Sequence, residues 1–166
     1  DFLSGERVER FSLLERINRS DIVYFVGHAT HDTSHPMNSG WPLASGHVTC
    51  ADFRSLSTPP RFVFANGCET GREAEWSATG LSNGAVYGIA SGFIMSGVAS
   101  YLGTAWPIAP APGTLFAKTL FEHLMARQPL GECVRLARHE ALRGYGPGNP
   151  VWASYQFYGD PLGVPI

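Results

Sequence analysis

Three stretches of this chain lose polar alternation altogether. Ile22 to Val26, Phe62 to Ala65 and Val98 to Leu102 are continuous apolar or small-residue runs, each closed by a turn-forming residue. Short runs of this kind, without a polar face, predict strands covered on both sides, as in a parallel sheet between two layers of helices. Around them the period changes to that of helices. Val8, Phe11, Leu14 and Ile17 recur at helical spacing behind Ser4, a suitable cap, and Val86, Ile89, Ala90, Phe93 and Ile94 do the same within residues 84–97. Two further helices are predicted over Thr114–Gln128 and Gly131–Gly144, the second with Arg135, Arg138 and His139 on a solvated surface. Thr49 followed by Asp52 predicts a capping box and a short helix through Leu56, which Pro59 and Pro60 stop. Tyr155 to Tyr158 predicts a last strand. In AWPIAPAP, Pro107, Pro110 and Pro112 predict extended backbone suited to pairing with a bound peptide. The pattern as a whole predicts an α/β fold, a mostly parallel sheet with helices on both faces.

Two of the strands end alike. The first runs into Gly27 and His28, and the second into Asn66, Gly67 and Cys68. Open parallel sheets carry their chemistry at the carboxyl ends of strands, so neighbouring parallel strands would bring His28 and Cys68 face to face. A thiol needs a base or a cationic neighbour to raise its thiolate fraction, and the amine leaving group of a peptide needs a proton; one imidazole serves both needs. The competing reading of Cys68 is a small cysteine packed as a hydrophobe.

The motifs GHA at Gly27–Ala29, CETG at Cys68–Gly71, SYLGTAWPI and WASYQFYGDP occur in an order and spacing that resembles the CHAT domain, a caspase-like cysteine protease family related to separases. The resemblance runs from about Arg10 to Pro161. It implies a three-layer caspase-like fold and a Cys-His dyad of Cys68 and His28, with backbone N–H groups at Ala29 and Cys68 as the oxyanion hole. It also implies that Asn66, Thr104, Ala105 and Trp106 line the substrate pocket, and that residues 72–83 form an active-site loop. Relatives carry acidic residues just after the Trp-containing motif, where this chain has Ile108, Ala109, Pro110 and Ala111, so a neutral pocket is expected. Ala29 also departs from the family, which usually has glycine after the histidine.

A caspase-like sheet has about two strands before the first helix, and only Asp1, Phe2 and Leu3 precede it here. The resemblance therefore implies a single protease domain over 1–166 that is the C-terminal part of a larger protein, with regulatory TPR-type helical repeats in the same or a partner chain. It also implies a bacterial, cytoplasmic setting.

Composition narrows the partners. A formal net charge of -2 gives no reason to expect nucleic acid or an anionic membrane, and no apolar run reaches spanning length. Three cysteines, Cys50, Cys68 and Cys133, cannot all pair and show no CxxC spacing, which points to a reducing compartment, with Cys133 packed and inert. His28, His31 and His35, with Asp32, suggest a metal set, but they lie on an irregular loop with nothing to converge them, so no metal or other cofactor is expected. Three functions follow from the residues: a cysteine endopeptidase acting on a protein substrate, a non-catalytic module that binds a peptide or partner domain, and metal-dependent hydrolysis.

Overall fold

A computed structural model of the chain describes Leu3 and residues 8–30, 32, 34–44, 46–66 and 89–166. Its centre is a four-stranded sheet of β1 (Ile22–Val26), β4 (Phe62–Asn66), β5 (Ser100–Thr104) and β6 (Tyr155–Gly159), in that spatial order. β1, β4 and β5 are parallel, and β6 returns antiparallel to β5. The mostly parallel sheet expected from the apolar runs is thus present, with one antiparallel strand at its rim.

Strand alternation splits the core in two. Phe62, Phe64 and Leu102 face α4 (Pro110–Met125), α5 (Leu130–Tyr145) and α6 (Val151–Ser154), where Phe116, Leu120, Leu124, Val134 and Tyr155 complete one apolar cluster. Val63, Ala65 and Tyr101 face the other way. They meet α1 (Arg10–Ile17), α2 (Cys50–Arg54), α3 (Ile89–Met95) and a hairpin of β2 (Gly40–Leu43) and β3 (Gly46–Thr49). Helices therefore cover both faces, as predicted.

On that second face an aromatic stack fixes the hairpin to the sheet. Trp41 lies 4.3 Å from Phe25 and 5.1 Å from Phe93, whose ring stacks on Tyr101 at 5.0 Å. Such pairs contribute about 0.5–1.5 kcal/mol each beyond their area, which offsets the roughly 1–3 kcal/mol cost of burying Trp41 Nε1, for which no described residue is a hydrogen-bond partner.

Several local expectations are corrected. α1 opens at Arg10 behind Glu9, which provides no side-chain cap; its packed residues are Leu13, Leu14 and Ile17, while Phe11 is 78% exposed beneath the Arg10 guanidinium. The apolar seam follows the i, i+3, i+4 rule instead of a strict three-residue spacing. Ser4 lies outside the described residues. β1 is not covered on both sides: Tyr24 is 43% and Val26 67% exposed, because β1 stands at the rim of the sheet among the described residues. The hairpin and α6 carry no strong periodic signal and were not predicted. The capping box holds, with Asp52 accepting from Thr49 N–H and Thr49 Oγ1 in β3–α2.

The largest correction concerns the proline segment. Pro110 and Pro112 sit in the first turn of α4, so the helix begins four residues before Thr114; the non-helical stretch is confined to 105–109, bent at 105–106 and extended at Ala109. First-turn N–H groups lack intrahelical acceptors, so proline costs little there, and its fixed φ suits the helix.

Candidate active site

The register of the sheet sets the site. β1 and β4 run in step, Val26 beside Asn66 at their carboxyl ends. His28 follows Val26 in sequence as Cys68 follows Asn66, by the same number of residues. His28 is exposed, and among the described residues its ring makes no hydrogen bond or ion pair. Cys68, Gly67 and the segment 72–83 lie outside the described residues.

The backbone around His28 is held from both sides. Before it, β1 fixes Val26; after it, Thr30 exchanges N–H···O bonds with Gly40 of β2, at 2.8 and 3.0 Å. Gly27 between them is required by close approach, since a Cβ there would stand 2.7 Å from Phe25 Cζ, in the ring that stacks on Trp41. Ala29 is half-buried against the aromatic face, and its N–H is engaged by no acceptor among the described residues.

Asn66 closes β4 and is held by two tyrosines. Tyr155 Oη donates to Asn66 Oδ1 at 2.9 Å, and Asn66 Nδ2 donates to Tyr24 Oη at 3.0 Å and, more weakly, to the Gly113 carbonyl at 3.5 Å. Burial pushes the Tyr155 phenol pKa strongly upward, which keeps it a donor. The tyrosine clamp was missed in the sequence; it joins β1, β4, α4 and β6, and no local signal links them.

Of the remaining pocket candidates, Thr104 ends β5 fully buried opposite Tyr155. Ala105 N–H donates to the Ser154 carbonyl at 2.8 Å, and Ser154 Oγ donates to the Trp106 carbonyl at 3.2 Å. These two bonds pin the segment after β5 to α6 and leave Trp106 36% exposed. Asp32, considered above as a metal ligand, uses its carboxylate to accept from Ser34 N–H, His35 N–H and Asn38 Nδ2, which organises the loop after His28. The His35 backbone bond, foremost, keeps the Asp32 carboxyl below its ordinary pKa. His31 is outside the described residues.

The other two thiols are buried and free. Burial pushes the Cys50 pKa up to about 12, and it raises that of Cys133 as well, so neither is a thiolate near neutral pH.

Comparison with known proteins agrees with this geometry. A chain of the Saccharomyces cerevisiae separase-securin complex superposes with a TM-score of 0.64 at 17% identity, over 92% of this chain and 9% of that one. The Arg-specific cysteine proteinase gingipain R superposes with a TM-score of 0.62 at 15% identity, over 95% of this chain and 36% of that one. The chain thus spans a small part of each of these larger proteins, and at such identities the likeness is one of fold. No curated protein matches the chain. The family model described as the CHAT domain matches residues 1–160. With its mostly parallel sheet, flanking helices and caspase-like neighbours, the chain belongs to the CHAT domain family and has a caspase-like fold.

Proposed function

We propose that this domain is a cysteine endopeptidase with a Cys68–His28 dyad. The observation that carries the reading is the in-step end of β1 and β4, Val26 beside Asn66, with an exposed His28 just beyond that no described residue engages. In the reaction, the Cys68 thiolate attacks the scissile carbonyl carbon, and the carbonyl oxygen becomes an oxyanion held by the N–H groups of Ala29 and Cys68. As the C–N bond breaks, His28 gives its proton to the leaving amine, and a thioester remains. Water then adds to the thioester with His28 taking a proton, and the acid product leaves as the thiol re-forms.

Substrate lies along Ala105 and Trp106, the accessible part of the segment after β5, with Asn66 and Thr104 supporting the wall from behind. The substrate is a protein, in a reducing cytoplasmic setting, and TPR-type repeats in the same or a partner chain regulate access. The separase neighbour was crystallised with securin, which supports a protein as partner.

The test is a peptidyl acyloxymethyl ketone probe applied to the full-length protein. Labelling of the wild type that is lost in Cys68→Ala supports the dyad. Absence of labelling under all conditions in which the protein binds its partners would favour the non-catalytic module instead.

A further inference from the structure

A groove runs along the outer edge of β6, on the far side of β5 from the candidate dyad. It encloses about 510 Å³ and is lined by Val134, Arg135, Arg138 and His139 of α5, Trp152 of α6 and Phe157 of β6. Arg138 and its neighbours read as solvated helix surface in the sequence, but Arg138 is half-buried and donates from Nη2 to the Tyr155 carbonyl.

The ladder parity shows what this edge offers. Ala105 N–H donates to Ser154 O, and the same register continues through Thr104 beside Tyr155. In an antiparallel pair hydrogen-bonded and non-hydrogen-bonded positions alternate, so Gln156 and Tyr158 are bonded to β5. The backbone groups of Tyr155 and Phe157 therefore point outward, on the side where Arg138 reaches Tyr155. Arg138 takes the Tyr155 carbonyl. Among the described residues, nothing engages the outward N–H and C=O of Phe157.

Charge selects the occupant. Arg135 is already paired with Glu132 through two bonds of 2.8 and 2.7 Å. Among the described residues Arg138 has no carboxylate partner, and its buried Nε has no hydrogen bond. Burial opposes its charge, so an anionic partner in the groove would stabilise the guanidinium. The apolar lining of Val134, Trp152 and Phe157 suits alternate side chains of an extended strand.

We propose that this groove binds an extended acidic peptide segment. The segment adds to β6 through the Phe157 backbone, sets an Asp or Glu against Arg138, and lays an apolar side chain on Trp152 and Val134. This is a docking site for an acidic peptide, separate from the candidate catalytic centre.

The test pans a phage library of random nine-residue peptides against the full-length protein carrying Cys68→Ala, so that selection reports binding alone, whether or not the domain is a protease. The expected consensus holds one Asp or Glu among β-branched or aromatic residues and excludes proline at alternate positions. A synthetic consensus peptide should bind Arg138→Gln and His139→Glu at least ten-fold more weakly and should slow hydrogen exchange at Phe157 N–H; the exposed His139 makes its variant safe for folding. The proposal is overturned by a library without an acidic consensus, by a peptide indifferent to both variants, or by one displaced by an active-site probe while Phe157 still exchanges. Sedimentation showing a dimer with Phe157 protected would likewise assign the groove to a second copy.

Discussion

Tyr155 Oη donates to Asn66 Oδ1 at 2.9 Å, linking residues 89 positions apart in the chain. The bond ties β6 to the end of β4, the strand from which Cys68 follows, and Tyr155 is fully buried. Tyr155→Phe leaves Asn66 Oδ1 short of its donor and should cost about 1–2 kcal/mol, read as a lower urea midpoint at unchanged slope. The rate of probe labelling should fall with it. Tyr24→Phe should cost less, because Tyr24 is 43% exposed and water can replace its oxygen. Equal losses in the two variants would contradict this ranking.

The thiols should separate cleanly. Cys68→Ala and His28→Ala are expected to abolish peptide cleavage while leaving the far-ultraviolet circular dichroism spectrum intact. Cys50→Ala and Cys133→Ala should retain cleavage and labelling, since burial holds the Cys50 pKa near 12 and keeps Cys133 above its ordinary value. Mass spectrometry after brief alkylation at pH 7.5 should find the label on Cys68; modification of Cys50 first would refute the assignment.

Asp52 should make stability depend on pH. Its burial pushes the carboxyl pKa up, but hydrogen bonds from Arg10 and Thr49 and the Arg10 charge outweigh that and hold it below the usual value. The folded pKa being depressed, the contribution is full above the unfolded carboxylate value of about 4 and is lost as pH falls through the folded one. Asp52→Asn should therefore cost about 1 kcal/mol at pH 7, as a lost capping partner does, and the gap from wild type should shrink in acid. Thermal melts at pH 7 and pH 3 measure it.

Gly40 tests the hairpin. A Cβ there would lie 2.0 Å from the Val48 carbonyl oxygen and 2.7 Å from Thr49 Cα, both backbone atoms that cannot swing aside. Gly40→Ala should destabilise by at least about 2 kcal/mol, in the range for overpacking, and loosen the Thr30–Gly40 pairing that follows His28. A melt unchanged from wild type would show that the hairpin yields more easily than its packing implies.

Cleavage should favour an uncharged residue before the scissile bond. Trp106, Ile108 and Ala109 offer no countercharge, and burying an unpaired charge is costly. This would differ from the Arg-specific gingipain, whose fold is similar. A peptide library profiled with the full-length protein decides it; dominant cleavage after Arg or Lys would end the idea.

Most of the sheet was legible because β1, β4 and β5 fall in the chain's three unbroken apolar runs, whose ending in glycine or asparagine marked the strand ends. β1 misled for the same reason. Tyr24 and Val26 read as buried, but an apolar run reports what a strand tolerates, and its neighbours decide what is covered. Arg138 failed in the opposite sense, since a cation off the apolar stripe reads as solvent-facing until a strand edge supplies a carbonyl. Proline reads as a helix breaker in 107–112, whereas its effect depends on position, and the first turn absorbs it. The tyrosine clamp joins residues from four elements, a relation that only folding creates.

The same first turn alters what α4 can recognise. Helix starts near a strand-end site commonly hold anions, because their first N–H groups are free and converge. Here Pro110 and Pro112 contribute no N–H, and Gly113 N–H is spent on the Ala109 carbonyl at 3.1 Å. Of the first four helical nitrogens, only Ala111 keeps an unspent proton among the described residues. Although α4 reaches Asn66 through Gly113, it lacks the converging row of donors that a carboxylate or phosphate would require. Among the described residues, what α4 offers to recognition at its start is therefore side-chain shape, not a row of N–H donors.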